Sequence, residues 1–316
     1  MNILLTTRLP AEGFQSLQGH NIIIPETPYI SKERLHEYMS DCEVLVPTFD
    51  YTVPAELIGQ MPKLRLIANF GVGYNNIDIE AAKKYGIRVT NTPEPTIEPT
   101  AEHTFALLIG IAHRIAELDR KMRTTTDIIF GVMNNLGTAI SNKTLGIIGM
   151  GRIGKSVAQK ALAFNMNIIY HNRHQLSPEI EQRFNARYVT FNQLLHEADF
   201  ISLNLPYSPE VHHLIDRQAF QQMKESAILI NTARGAIIDE KALIEALSTH
   251  RIKAAALDVY EHEPNISPEL YQLDNVLLSP HIGTGSMEGR IAMCNNVCEN
   301  IIAFERQEFS KMNIVV

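Results

Sequence analysis

The sequence predicts an α/β protein made of two doubly wound, parallel-sheet domains. Three observations predict it. From residue 1 to about 98 short apolar runs alternate with helical stretches; a second, stronger alternation runs from about 144 to 282; and the Pro-rich turn NTPEPTIEP (91–99) separates the first series from a long helical pattern. Strands that alternate with helices pair in parallel, because each connection crosses back over the sheet before the next strand begins.

In the first series Ile3–Leu5, Val44–Val46, Leu66–Ala68 and Ile87–Val89 are the expected strands, with helices starting near Ser31 and Ile79. After the Pro-rich turn one helix is expected from Thr100 to about Met122. In the second series TLGIIG, NIIYHN, DFISLNL, AILINT, AAALDVY and NVLLSP read as strands, with helical segments between most of them. A last helical stripe, 286–306, carries Met287, Ile291, Cys294, Cys298, Ile301 and Phe304 on one apolar face. It is too long for a linker and is expected to cross back to the first domain. That domain then comprises 1–98 and 285–316, with 99–284 as the second.

A chain of 316 residues, 45% hydrophobic and 20% charged, has room for two packed cores. Its net charge of −7 offers no blanket attraction for nucleic acid or an anionic membrane, and neither is expected as a partner. Met1–Pro10 has no basic region ahead of its apolar residues and reads as a first strand. The longest apolar stretch, Phe105–Ala112, is far below the roughly 20 residues that span a bilayer, so a cytoplasmic location is expected. Three cysteines, Cys42, Cys294 and Cys298, make no disulfide framework. The Cys294/Cys298 pair could chelate a metal at i, i+4, but its place on the apolar stripe points to core packing. His171, His174, His212 and His213 lack a matching carboxylate or cysteine arrangement and read as surface residues, so no metal site is expected.

The segment TLGIIGMGRIGKSVAQKALAFNMNIIYHNR (144–173) places Gly149, Gly151 and Gly154 in G-x-G-x-x-G spacing between a strand and an amphipathic helix. The pattern alone is weak; in this context it is a dinucleotide-binding, Rossmann-type unit. Gly149 makes the tight turn, Gly151 lets the backbone approach a pyrophosphate, Gly154 allows close helix–strand packing, and the helix N-terminus attracts the anion. Asn172 lies 18 residues after Gly154, about where an acid grips the ribose 2′-hydroxyl, and Arg173 follows it. A carboxylate there would repel the 2′-phosphate of NADP, whereas Arg173 can pair with it. The balance favours NADP; NAD stays open, since Asn172 can hydrogen-bond an ordinary ribose hydroxyl.

Three further strands end in ionisable groups: INTARG (230–235) in Arg234, LDVYEHEP (257–264) in Asp258 and Glu263, and LLSPHIGTG (277–285) in His281. Taken singly, these read as a helix-start arginine, a solvated acid and a strand-end histidine. Taken together after a dinucleotide fingerprint they point to one crevice, because ligands of open α/β sheets collect at the strands' carboxyl ends. Arg234 offers a rigid fork for a carboxylate, His281 exchanges a proton near neutral pH, and an acid beside it orients the ring and favours its charged form.

The motifs NFGVGYNNID (69–78), GMGRIG (149–154), MKESAILINTARGAIIDEKALIEAL (223–247), LDVYEHEP (257–264) and NVLLSPHIG (275–283), in this order, resemble the D-isomer-specific 2-hydroxyacid dehydrogenase family over nearly the whole chain. The resemblance implies a flavodoxin-like substrate domain beside the Rossmann domain. It implies that Arg234 binds and polarises a 2-oxoacid, that His281 is the acid/base with Glu263 as its partner, and that the Val72–Gly73 amides hold the substrate carboxylate. It places Asp258 at the nicotinamide carboxamide and Arg152 and Ile153 at the pyrophosphate, with Thr100, Leu205, Pro206, Thr232, Ala233 and Gly283 also lining the cofactor. The Asn172–Arg173 pair resembles the NADP-tolerant glyoxylate/hydroxypyruvate reductase branch. Asn204 stands where a histidine is common. No tryptophan precedes NKTLG, so DIIFGVMNNLGTAISNKTLG (127–146), which with the helix from Thr100 is the family's dimer arm, is expected to pack differently in a homodimer.

The reaction implied is reduction of a small 2-oxoacid by NADPH or NADH. One rival is a nucleotide-sensing binding protein of the corepressor type on the same fold. Another is a formate- or phosphite-type dehydrogenase, against which Glu263 stands, since formate enzymes of this family pair the histidine with glutamine.

Overall fold

The computed structural model describes residues 1–126 and 128–316. Asp127, the first residue of the segment 127–146, lies outside the described residues. The chain forms two compact units, Met1–Pro99 with Thr284–Val316, and Thr100–Gly283.

The first unit runs β1 (Asn2–Leu5), β2 (Asn21–Ile23), α1 (Lys32–Tyr38), β3 (Val44–Val46), α2 (Ala55–Gly59), β4 (Leu66–Ala68), α3 (Ile79–Lys84) and β5 (Arg88–Thr90). Its strands pair in parallel in the order β2-β1-β3-β4-β5. Every residue of β3 and β4 is buried, the mark of strands covered on both faces, which is why they read as unbroken apolar runs. Ser31 caps α1 by accepting from the Arg34 N–H (3.2 Å), and Asp78 caps α3 by accepting from the Ala81 N–H (2.8 Å).

The second unit begins within α4 (Ile97–Ala112) and continues through α5 (Ile115–Thr124), β6 (Thr144–Ile148), α6 (Arg152–Ala163), β7 (Asn167–His171), α7 (Pro178–Arg183), β8 (Ala186–Tyr188), α8 (Phe191–Glu197), β9 (Phe200–Leu203), α9 (Arg217–Gln222), β10 (Ile228–Asn231), α10 (Glu240–Ser248), β11 (Ala254–Leu257) and β12 (Val276–Leu278). All strands are parallel, in the order β12-β11-β10-β9-β6-β7-β8. The chain winds outward from β6 to β8, then crosses to β9 on the other side of β6. The switch point, where ligands of such sheets bind, therefore lies between the carboxyl ends of β6 and β9.

The helix expected from Thr100 to Met122 is two helices. It starts earlier, at Ile97, with Pro99 among the first-turn positions whose N–H groups have no helical partner in any case. It breaks at Arg114, which has left-handed φ of 58°, while the Thr138 N–H takes the Ala112 carbonyl at 2.7 Å.

Arg114 then grips Glu117 with two bonds, Nε to Oε2 at 2.7 Å and Nη2 to Oε1 at 2.6 Å, and Lys121 adds a third at 2.7 Å. The Arg114 fork, with Lys121 behind it, drops the Glu117 carboxyl to about 2 against the opposing effect of partial burial. A depressed carboxyl contributes stability above its unfolded value, and that contribution is lost as pH falls through the folded one. Glu117→Gln should therefore lower stability at pH 7 by on the order of 2–3 kcal/mol. The gap to wild type should close as pH falls from about 4.5 toward about 2. Urea midpoints at pH 7 and at pH 3.5 test this, and a pH-independent gap would refute it.

The last helix, α11 (Met287–Glu305), belongs to the first unit. Ser286 caps it, accepting from the Gly289 N–H at 3.0 Å. Its face of Met293, Cys294, Val297, Cys298 and Ile301 packs in one core with Ile3, Val44, Leu66 and Phe70. The approach is close: a Cβ on Gly13 would lie 2.2 Å from the Cys294 Cβ. Burial pushes the Cys294 and Cys298 thiols up to about 12 and about 11, so both behave as small apolar side chains. Met287, at the foot of the expected stripe, is 63% exposed, and of the expected stripe the first residue buried in this core is Cys294. Among the described residues no helix is long and apolar enough to cross a membrane.

Candidate active site

At the end of β6 the three glycines answer to three constraints. Gly149 has φ of 93°, and a Cβ there would lie 2.7 Å from the Asn204 carbonyl oxygen; a Cβ on Gly154 would lie 2.4 Å from the Gly149 oxygen. The fold itself demands both. A Cβ on Gly151 would meet nothing within 4 Å. Nothing inside the chain requires that glycine, whereas a ligand backed against the turn would. Arg152 and Ile153 open the twelve-residue α6, whose first turn carries no acid, so its positive end suits a phosphate anion. These features fit a dinucleotide pyrophosphate.

At the end of β7 Asn172 braces this turn: its Oδ1 accepts from the Met150 N–H at 2.7 Å, and its backbone carbonyl accepts from the Tyr188 hydroxyl at 3.2 Å. Arg173 and His174 are exposed beyond it. Across from Arg173 lies Glu210, whose carboxyl is held below the usual range by the Ser208 hydroxyl, its own backbone N–H and the Arg173 charge. After β9, Asn204 donates through Nδ2 to Ser202 Oγ at 2.8 Å, while its buried Oδ1 has no partner among the described residues. Leu205 packs partly into the core and Pro206 is exposed.

The three strand-end groups come together. Asn231, fully buried at the end of β10, accepts from the Ala233 N–H at 3.0 Å and donates to the Arg234 carbonyl at 2.9 Å, and so shapes the Thr232-Ala233-Arg234 turn. Thr232 is joined to Thr104 of α4 at 2.6 Å. Gly235 lies on the next strand's turn, where a Cβ would stand 1.9 Å from Tyr260 C and O. Only glycine lets Arg234 come so close to the segment that carries Glu263. Arg234 Nη1 donates to the Ala233 carbonyl at 2.6 Å. Burial pushes its guanidinium below the ordinary value, and the neighbouring Glu263 carboxylate pulls it back up. Glu263 Oε1 accepts from the Tyr260 N–H at 2.9 Å, and its Oε2 pairs with His281 Nδ1 at 2.7 Å. With 24% and 31% of their side chains accessible, His281 and Glu263 are ordered yet reachable.

His281 itself sits at left-handed φ of 52°, and the residues after it are clamped. The buried Asp258 carboxylate accepts from the Ile282 N–H at 2.9 Å and the Gly283 N–H at 2.8 Å. His103 Nε2 of α4 lies 3.1 Å from the same carboxylate and 3.0 Å from Ser279 Oγ. Burial alone would raise the Asp258 carboxyl; the bonds from His103, Ser279 and the Ile282 N–H outweigh it and hold the group below its ordinary value. Thr100 lies against Gly283, its Oγ1 3.7 Å from where a Cβ would stand.

Sequence reasoning missed His103, Ser279, Asn231 and Tyr260, none of which belongs to a local pattern. It also misread His213. That ring is half-buried, stacks on His212 with centroids 3.9 Å apart, and bonds Glu261 Oε1 at 2.7 Å. Glu261 and the buried Glu240 each accept the other's backbone N–H at 3.1 Å, so this clasp ties the Arg234 turn to the Glu263 turn. Among the described residues no group of three or more His, Cys, Asp or Glu could hold a metal.

Val72 and Gly73 lie in the first unit, on the loop after β4. Neither amide donates to another described residue.

Comparison with known proteins places the chain beside 2-hydroxyacid dehydrogenases. Residues 105–283 match the family model of the D-isomer specific 2-hydroxyacid dehydrogenase, NAD binding domain. The chain is 41% identical over 314 residues to a glyoxylate reductase of Thermococcus litoralis, covering 97% of this chain and 94% of that one. It is similar to the crystal structure of a glyoxylate reductase from Paecilomyes thermophila (TM-score 0.84, 33% identity, covering 100% and 98% of the two chains). It is also similar to an NADPH-dependent glyoxylate/hydroxypyruvate reductase from Sinorhizobium meliloti in complex with citrate (TM-score 0.83, 27% identity, covering 96% and 94%).

Proposed function

The chain belongs to the D-isomer specific 2-hydroxyacid dehydrogenase family, and from that premise we propose that it reduces a small 2-oxoacid of the glyoxylate or hydroxypyruvate class to the D-2-hydroxyacid, with NADPH preferred to NADH. The observation that carries the reading is the 2.7 Å contact between His281 Nδ1 and Glu263 Oε2 beside the Arg234 guanidinium. A histidine oriented by an acid next to a fixed cation is the equipment a carbonyl reduction needs: one group to give a proton, one to hold the carboxylate and polarise the oxygen. The nicotinamide dinucleotide, when bound, supplies the hydride. Glu263 fixes the His281 ring through Nδ1, and Nε2 is the nitrogen assigned to deliver the proton to the substrate oxygen. Arg234 pairs with the carboxylate, and the Val72–Gly73 amides add two neutral donors to it. Gly149, Gly151, Gly154, Arg152 and Ile153 receive the pyrophosphate. Thr100, Leu205, Pro206, Thr232, Ala233, Asp258 and Gly283 line the rest of the nucleotide site. The second unit is thus the nucleotide-binding domain and the first the substrate domain.

The preference for NADPH rests on the end of β7. Asn172, whose amide oxygen accepts from the Met150 N–H, brings no negative charge that would repel a 2′-phosphate, and Arg173 stands exposed beside it. Initial rates with glyoxylate and hydroxypyruvate, each with NADPH and NADH, test the reading together with Arg173→Ala. One charge-assisted contact to the 2′-phosphate predicts a KM for NADPH raised roughly 10-fold or more in the variant, with that for NADH little changed. Equal shifts for the two nucleotides would remove Arg173 from the phosphate site, and no turnover in wild type would remove the activity.

A homodimer is proposed on the segment 127–146. Ile129, Phe130, Val132, Met133 and Leu136 are 69%, 82%, 91%, 78% and 55% exposed, a run of bare apolar side chains that a second copy would cover. The base of the segment is fixed, since Lys253 Nζ donates to Thr138 Oγ1 at 2.5 Å.

A further inference from the structure

The loop 69–76 shows how the two unpartnered amides are aimed. Three consecutive carbonyls, those of Gly71, Val72 and Gly73, all accept hydrogen bonds from inside the first unit. Gly71 O receives the Thr92 N–H at 3.0 Å and Asn69 Nδ2 at 3.3 Å. Val72 O receives Asn91 Nδ2 at 2.8 Å, and Gly73 O receives Asn69 Nδ2 at 2.7 Å. In a trans peptide the N–H points opposite to the carbonyl of the same plane. Pulling the Gly71 and Val72 carbonyls inward therefore turns the Val72 and Gly73 N–H groups outward, side by side.

Both asparagines are held for this task. Asn69 is fully buried, and its Oδ1 receives Asn76 Nδ2 at 3.4 Å; the same Asn76 amide binds the Thr48 and Tyr51 carbonyls at 2.9 and 3.1 Å. Asn91 donates its N–H to the Asn313 carbonyl at 3.1 Å, and its own carbonyl receives Asn300 Nδ2 of α11 at 3.2 Å. Thr92 Oγ1 takes the Gly71 N–H at 2.9 Å, which keeps that donor from competing. A carboxamide suits the place because it donates. An aspartate of the same shape presents only acceptors and repels the carbonyl it faces.

We propose that Asn69 and Asn91 are positioning residues for the substrate carboxylate, acting through the peptide planes of Gly71 and Val72. This rests on the proposed reduction of a 2-oxoacid. The asparagines touch neither substrate nor nucleotide, so their loss weakens ground-state and transition-state binding of the acid alike, which raises KM and spares kcat.

The test is Asn91→Asp, with Asn91→Ser as the second variant should the first not fold, each assayed as the full chain with glyoxylate and with oxalate as a competitive inhibitor. The expected result is a KM for glyoxylate and an inhibition constant for oxalate both raised roughly 10-fold, with kcat and the KM for NADPH unchanged. A folded variant with wild-type KM and oxalate inhibition overturns the assignment alone. So does a variant in which kcat and both Michaelis constants shift together, since that is loosening of the unit rather than re-aiming of the Gly73 amide. A wild-type chain that reduces neither glyoxylate nor hydroxypyruvate overturns the functional reading, and the role of the clamp goes with it.

Discussion

His281→Asn is expected to cut turnover of the 2-oxoacid roughly 10³-fold while leaving nucleotide affinity unchanged. Asparagine is the informative replacement. His281 sits at φ of 52°, a left-handed conformation that asparagine tolerates and alanine resists, so His281→Ala would confound loss of the imidazole with a strained turn. The rest of the turn should stay in place, because it is held from elsewhere: Asp258 grips the Ile282 and Gly283 amides, and His103 and Ser279 support Asp258. What disappears is the proton donor, and a deficit of 10³-fold is about 4 kcal/mol of transition-state stabilisation, the size general acid catalysis supplies. Single-turnover rates with NADPH, beside a fluorescence titration of the nucleotide, separate the two effects. Turnover equal to wild type would sink the acid/base assignment. Loss of nucleotide binding together with turnover would instead show that the turn had collapsed.

The parts of this molecule legible from its sequence are those whose physics is local. β3, β4, β6, β7, β9, β10 and β11 announce themselves because strands buried on both faces read as nearly unbroken apolar runs. The two strands that patterning missed, β2 and β8, are three residues long and lie at sheet edges, where half-exposure breaks the apolar run. The expected single helix failed at Arg114 because a left-handed residue held by a distant backbone contact, Thr138 to Ala112, leaves no local signature. The same division runs through the site. Arg234, Glu263 and His281 were readable because parallel strands deliver their carboxyl ends to one edge. The groups that orient them were not: His103 meets Asp258 across 155 residues of sequence, and His213 meets Glu261 across 48. Asn69 and Asn91 were invisible for a further reason. Each acts through a carbonyl that only the folded loop turns toward it.

The second large effect is expected at Arg234. Arg234→Ala should lower kcat/KM by roughly 10³-fold or more, because one guanidinium is asked both to bind the substrate carboxylate and to stabilise charge growing on the carbonyl oxygen. Arg234→Lys should recover part of that loss and no more: the ammonium restores the sign of the charge and not the two-pronged donor geometry. The backbone leaves little room for a structural explanation of either result. Asn231 holds the turn from one side and the contact of Gly235 with the Tyr260 peptide holds it from the other, so the new side chains start from the same place as the old. Arg234 is, besides, a cation pushed below its ordinary value by burial, and its removal relieves a desolvation cost. The unfolding midpoint of Arg234→Ala should accordingly stay near that of wild type while activity falls. Added guanidinium salt should restore turnover to the alanine variant more than to the lysine variant, since only the former leaves a vacancy of the right shape. Full activity in Arg234→Lys would mean that charge alone suffices and that the fork has no part in the reaction. A large drop in the unfolding midpoint of Arg234→Ala would mean that the arginine serves the fold first.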